Sequence, residues 1–64
     1  VDNFQKYNIN LDLAIGEKIK YDDEEFRVFN IIIRENTIFY ECINPITAET
    51  VLFEDGDNYN TLGF

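Results

Sequence analysis

Phe26-Arg27-Val28-Phe29-Asn30-Ile31-Ile32-Ile33-Arg34-Glu35-Asn36-Thr37-Ile38-Phe39-Tyr40-Glu41-Cys42-Ile43-Asn44 decides the fold. Two β-branched and aromatic runs, Phe26 to Arg34 and Thr37 to Asn44, flank the short polar break Glu35-Asn36, and such a pattern reads as a hairpin. With Glu35-Asn36 as a two-residue loop, Ile33 falls opposite Ile38, Ile31 opposite Tyr40, and Phe29 opposite Cys42, all on one face. The other face carries Ile32 with Phe39, Asn30 with Glu41, and Val28 with Ile43. Neither face is wholly polar. A strongly bent sheet that buries different faces along its length accommodates this, with a bulge expected near Phe29-Asn30. Ile31, Ile33, Ile38 and Tyr40 are the expected core.

Outward from the hairpin, Glu17-Lys18-Ile19-Lys20-Tyr21 reads as a short strand with Ile19 and Tyr21 turned inward, and Asp22-Asp23-Glu24 as a turn. Before the break at Gly16, Tyr7, Ile9, Leu11 and Leu13 alternate with Asn8, Asn10 and Asp12, which favours an extended Tyr7 to Leu13. The competing reading, a helix over Asp2 to Tyr7 capped by Asp2 or Asn3, is cut short by the Asn-rich stretch that follows. On the other side, Asn44-Pro45-Ile46-Thr47 has the residues of a type I turn. Thr50 to Phe53 is then a strand and Glu54 to Asn58 a turn. Tyr59 to Phe64 is a terminal segment anchored through Tyr59, Leu62 and Phe64. The expected fold class is all-β: a small, strongly bent antiparallel sheet or barrel of about five short strands over residues 15–64, with residues 1–14 as an arm or extra strand.

Ile15-Gly16-Glu17-Lys18-Ile19-Lys20-Tyr21, the acidic turn, Glu25-Phe26-Arg27-Val28, the hairpin ending Phe39-Tyr40-Glu41, and Glu49-Thr50-Val51-Leu52-Phe53 together resemble the small SH3-like barrels of bacteria and phages. The resemblance spans about forty residues and leaves the first fourteen outside. It implies five short strands around a small core. It transfers no catalytic residue, and such barrels bind peptides, nucleic acid or protein surfaces, so it leaves function open.

Composition narrows the chemistry. The 64 residues contain no His, Ser, Trp or Met, which removes the Ser/His/Asp triad, the Cys/His pair, an imidazole base and any His-containing zinc site. The single Cys42 closes no intramolecular disulfide and is expected to be a buried, inert residue on the face shared with Phe29. Neither Asp22-Asp23-Glu24-Glu25 nor Glu54-Asp55-Gly56-Asp57 has EF-hand spacing. No metal or cofactor is expected. A domain this small buries only roughly 60% of its unfolded surface and offers no cleft to enclose a substrate, so enzyme activity is not expected either. Apolar runs such as Ile31-Ile32-Ile33 stop at three residues, against roughly 20 for a membrane span, and no charged-then-apolar leader stands in these residues. The expected location is cytoplasmic, without membrane association.

Charge is the remaining signal. Thirteen Asp and Glu against five Lys and Arg give a net charge of −8, and all five cations (Lys6, Lys18, Lys20, Arg27 and Arg34) lie in the first 34 positions. Phosphate neutralisation needs clustered cations, so nucleic-acid binding is not expected. A carboxylate surface instead suits a basic surface on a partner protein, as in phage-encoded inhibitors and DNA mimics. The residues expected to carry it are Glu49, Glu54, Asp55 and Asp57, with Asp22, Asp23 and Glu24. As exposed rim groups, Glu54, Asp55 and Asp57 should be replaceable by amides with the melting temperature nearly unchanged. The alternative is a structural or assembly subunit that packs through Ile32 and Phe39 against a second copy, as a homodimer, or against another chain.

Overall fold

A computed structural model of the protein describes residues 10–64. Five strands, β1 (Lys18–Tyr21), β2 (Glu24–Arg34), β3 (Thr37–Ile43), β4 (Thr50–Glu54) and β5 (Asn60–Gly63), form one antiparallel sheet in the order β4-β3-β2-β1-β5. No helix occurs among the described residues. The strand order is compatible with an SH3-like arrangement, but the sheet is open: β4 and β5 are its two edges. Two connections are two-residue turns. Asp22 (φ 53°) and Asp23 (φ 65°) join β1 to β2, and Glu35 (φ 47°) and Asn36 (φ 71°) join β2 to β3. Positive φ at both central residues matches the right-handed twist of the flanking strands, which is why such turns close hairpins tightly.

The central hairpin has the expected register from its turn down to Asn30. Arg34 faces Thr37, Ile33 faces Ile38, Ile32 faces Phe39, Ile31 faces Tyr40 and Asn30 faces Glu41. Beyond it, Phe29 is an extra residue: the register shifts between Val28 and Asn30, so that Val28, not Phe29, lies opposite Cys42, and Arg27, not Val28, opposite Ile43. The bulge changes which residues point inward. Phe26 and Val28 are buried before it, whereas Ile31 continues the inner face after it. Phe29 itself is left 45% exposed. An in-phase strand would have had to bury Phe29 and expose Val28; the extra residue lets the smaller side chain fill the space against Cys42.

The core lies around Ile19, Phe26, Val28, Tyr40, Cys42 and Phe53, closed by Leu13 and Tyr59. Ile31 and Ile38 are partly buried against it. Ile33, expected inside, is 50% exposed, because the tip of the hairpin outruns its neighbours. β1 covers β2 only as far as Arg27, and β4 covers β3 only from Phe39 onward. Tyr21 points to the inner side, its ring edge-on to Phe53 at 5.0 Å, yet stays 41% exposed. Of the three expected anchors in the last segment, Tyr59 is buried, whereas Leu62 and Phe64 are exposed.

Side chains, not backbone bonds, draw the two edges together. Phe53 of β4 meets Tyr21 of β1, Phe26 of β2 and Tyr59 just before β5, all edge-on with ring centres 5.0 to 6.0 Å apart. Such pairs are worth about 0.5–1.5 kcal/mol each beyond the area they bury. The N-terminal segment adds a strap. The part of the expected Tyr7 to Leu13 strand that is described, residues 10–13, pairs with no strand. Instead, the Asp12 and Leu13 amides donate to the Tyr40 hydroxyl at 2.8 and 3.3 Å, and Leu13 is 2% exposed. Residues 1–9, including the alternative Asp2 to Tyr7 helix, lie outside the described residues.

Candidate partner-binding surface

The seven carboxylates expected to face a partner fall into two groups. Asp22 and Asp23 form the β1–β2 turn, Glu24 opens β2, and Glu49 ends the β3–β4 loop; a hydrogen bond from Asn44 Nδ2 to Glu24 Oε1 (3.0 Å) ties that loop to the turn. Glu54, Asp55 and Asp57 lie elsewhere. Glu54 sits level with Phe39 and Ile32, eight positions further along β2 than Glu24. The sheet therefore presents two separate acidic sites.

The two groups also differ in what their side chains do. Asp55 Oδ1 accepts a hydrogen bond from the Tyr40 hydroxyl at 2.6 Å, and Asp57 Oδ2 accepts one from the Glu54 amide at 2.9 Å. The Tyr59 hydroxyl donates to Asp12 Oδ2 at 2.7 Å and accepts the Gly56 amide at 3.2 Å. The β4–β5 loop, the strap and the two tyrosines thus form one polar network over the core. Glu54, Asp55 and Asp57 are exposed, as expected of rim groups, but Asp55 and Asp57 also accept hydrogen bonds that hold this loop in shape. Burial first, then the carboxylates Asp55 and Asp12, raises the Tyr40 and Tyr59 hydroxyls above their ordinary range, so both stay protonated donors.

At the other end, the loop geometry comes from Asn44, which is 5% exposed. Its Oδ1 accepts the Ile46 amide at 2.9 Å and the Thr47 amide at 3.3 Å, its own amide donates to Glu49 O, and its carbonyl accepts the Ala48 amide. An Asn side chain that caps the turn it begins is what Asn-Pro at this position favours. The loop so held carries Ile46 outward at 90% exposure. Between it and the acidic turn lies an open hollow of about 510 Å³, bounded by Asp23, Glu24 and Glu25, by Ile46 and Thr47, and by Leu62 of β5. Asn44 was readable in the sequence as a turn residue; the part played by Ile46, Leu62 and Asp12 was not.

The outer face of β2, β3 and β4 holds a second, smaller hollow of about 220 Å³ lined by Ile32, Arg34, Phe39 and Leu52. Cys42 is fully buried and its thiol is pushed up to about 11, by burial first and then by the Glu41 carboxylate, so it carries no nucleophile at neutral pH. Its neighbour across the strand pair is Val28 rather than Phe29. Among the described residues no group of three or more Asp, Glu or Cys is placed to hold a metal ion, and no helix is long and apolar enough to cross a membrane. Compared with known proteins, the chain matches no family model, no curated protein and no solved structure.

Proposed function

We propose that the protein is a non-enzymatic binding module that docks on a basic surface of a partner protein, in the manner of an inhibitor or DNA mimic. The observation that carries this reading is the run Asp22-Asp23-Glu24-Glu25, four consecutive exposed carboxylates of which the first two form a tight two-residue turn and the next two open β2, with Glu49 on the adjoining loop. Carboxylates held on short, rigid connections meet a cationic surface with little backbone ordering cost, and act mainly by steering encounter. Glu54 adds to the overall field. Asp55 and Asp57 serve the fold first.

Decalysine is a suitable probe, read by association rate at low and physiological ionic strength. Asp22→Asn with Asp23→Asn keeps the turn, since Asn tolerates positive φ. This pair should slow association several-fold, whereas the equally discharging pair Glu35→Gln with Glu54→Gln should have a smaller effect. Equal slowing by both pairs would mean that net charge alone acts, and would reject the turn as a docking site.

The second reading, assembly of copies of this chain through the outer face, is favoured by the hollow that Ile32, Phe39 and Leu52 line. It predicts a dimer that persists or tightens as salt rises, and that Phe39→Ser abolishes. Sedimentation equilibrium at rising concentration checks it; a monomer throughout rejects it.

A further inference from the structure

We infer that the hollow between the β1–β2 turn and the β3–β4 loop binds an extended segment of a partner protein in which a lysine or arginine adjoins an aliphatic residue. This rests on the docking function proposed above and adds what the site recognises. Its size comes first: about 510 Å³ of open space takes a few side chains, not a folded surface.

The walls then set the chemistry. Ile46 is 90% exposed and Leu62 49% exposed, so two aliphatic side chains face water within one concavity. Ile46 is presented on a fixed loop, because Asn44, itself buried, binds the Ile46 and Thr47 amides and reaches Glu24. A loop held by its own buried side chain loses little freedom on binding. The hollow is lined by one cation, Lys20, and three carboxylates, Asp23, Glu24 and Glu25, with Lys20 opposite Glu25 in the β1–β2 ladder. Carboxylate is therefore in excess at the hollow, with Asp23 and Glu24 lying beyond the residue opposite Lys20.

A purely apolar ligand would leave that excess charge desolvated, and a bare cation would leave Ile46 and Leu62 in water. A cationic side chain satisfies both, since its methylene stem lies along apolar surface while its head reaches a carboxylate. An aliphatic neighbour on the same segment covers the second apolar side chain. An anionic or nucleic-acid ligand is opposed by both carboxylates.

The experiment is an amide chemical-shift titration of the full chain with a short, end-blocked peptide alternating lysine and leucine. Spermine and the same peptide with serine for leucine are the comparison ligands. The expected result is saturable shifts centred on Asp23–Glu25, Asn44–Thr47 and Leu62, with at least tenfold weaker binding of both comparison ligands. Ile46→Ser, at a position too exposed to affect folding, should weaken the leucine peptide about tenfold and leave spermine binding unchanged. Glu24→Gln, which keeps the acceptor for Asn44, should weaken all three. Equal binding of the serine peptide would overturn the inference while leaving the docking function standing. Shifts centred on Ile32 and Phe39 would overturn it too. No binding of any cationic ligand at low salt would overturn both.

Discussion

Tyr40 joins the strap, the β4–β5 loop and the core through one side chain. Its hydroxyl donates to Asp55 and accepts two strap amides, while its ring stands edge-on to Tyr59 with centres 6.4 Å apart. Tyr40→Phe keeps the ring and strands all three partners. It is expected to cost on the order of 1–3 kcal/mol, lowering the melting temperature by roughly 4–8 °C per kcal/mol, measured by circular dichroism. Tyr59→Phe strands fewer partners and should cost less. Cys42 gives a second, pH-dependent outcome. Its folded thiol titrates near 11 against an ordinary 9.0. The folded state therefore keeps its proton where the unfolded chain loses it, so the stability Cys42 contributes is complete below pH 9 and declines as pH rises from 9 towards 11. Denaturant unfolding of wild type and Cys42→Val across pH 8 to 11 checks this: the variant should show the shallower decline. A thiol reagent at pH 8 should label native Cys42 only at the rate of unfolding. Burial of Cys42 and Tyr40 was legible from their alternation; the Tyr59 bond to Asp12 joins residues 47 positions apart and leaves no local pattern to read.

Among the elements, the β2–β3 hairpin was readable because its two runs have matching apolar alternation around a two-residue turn. The register held as far as Asn30, and the bulge was expected at the place where it occurs. What periodicity could not supply was the direction in which the phase shifts after the extra residue, since Phe29 and Val28 are both good strand residues. That shift decides which substitutions matter. Val28 is 1% exposed and Ile33 is 50% exposed. Val28→Asp places an unpaired charge in the core and should leave no folded protein at 25 °C, given a total stability of about 5 kcal/mol for so small a domain. Ile33→Asp, at the uncovered hairpin tip, should fold and lose no more than about 1–2 kcal/mol. Urea titration of both variants is the check. A fully unfolded Ile33→Asp would show that the hairpin tip is covered in solution, on the face opposite Ile32 and Phe39. Of the two alternatives for the N-terminal segment, arm or extra strand, residues 10–13 take the arm: Leu11 and Leu13 keep a two-residue alternation, but the Asp12 and Leu13 amides go to the Tyr40 hydroxyl and not to a neighbouring strand.

At the scale of the whole molecule, thirteen acidic and five basic residues on 64 positions place the fold under its own repulsion. Salt then acts in opposite directions on the two properties that this charge governs. Raising ionic strength from about 0.01 to 0.15 M shortens the screening length from about 30 to 8 Å. The melting temperature should rise over this range while association with the cationic peptide slows. Calorimetry and stopped-flow mixing in the same buffers test the pair; a melting temperature that falls would mean that attractive charge pairs outweigh repulsion. The sheet edges supply the final consequence. β4 and β5 share no backbone bonds, and the seam between them is held by aromatic contacts and by the strap fastened to Tyr40 and Tyr59. A seam of that kind can part without melting the central strands, because the β2–β3 ladder does not pass through it. Native-state deuterium exchange should therefore divide the amides in two. Those of β5 and the strap should exchange together through a shared partial opening, and those of β2 and β3 only when the whole chain unfolds.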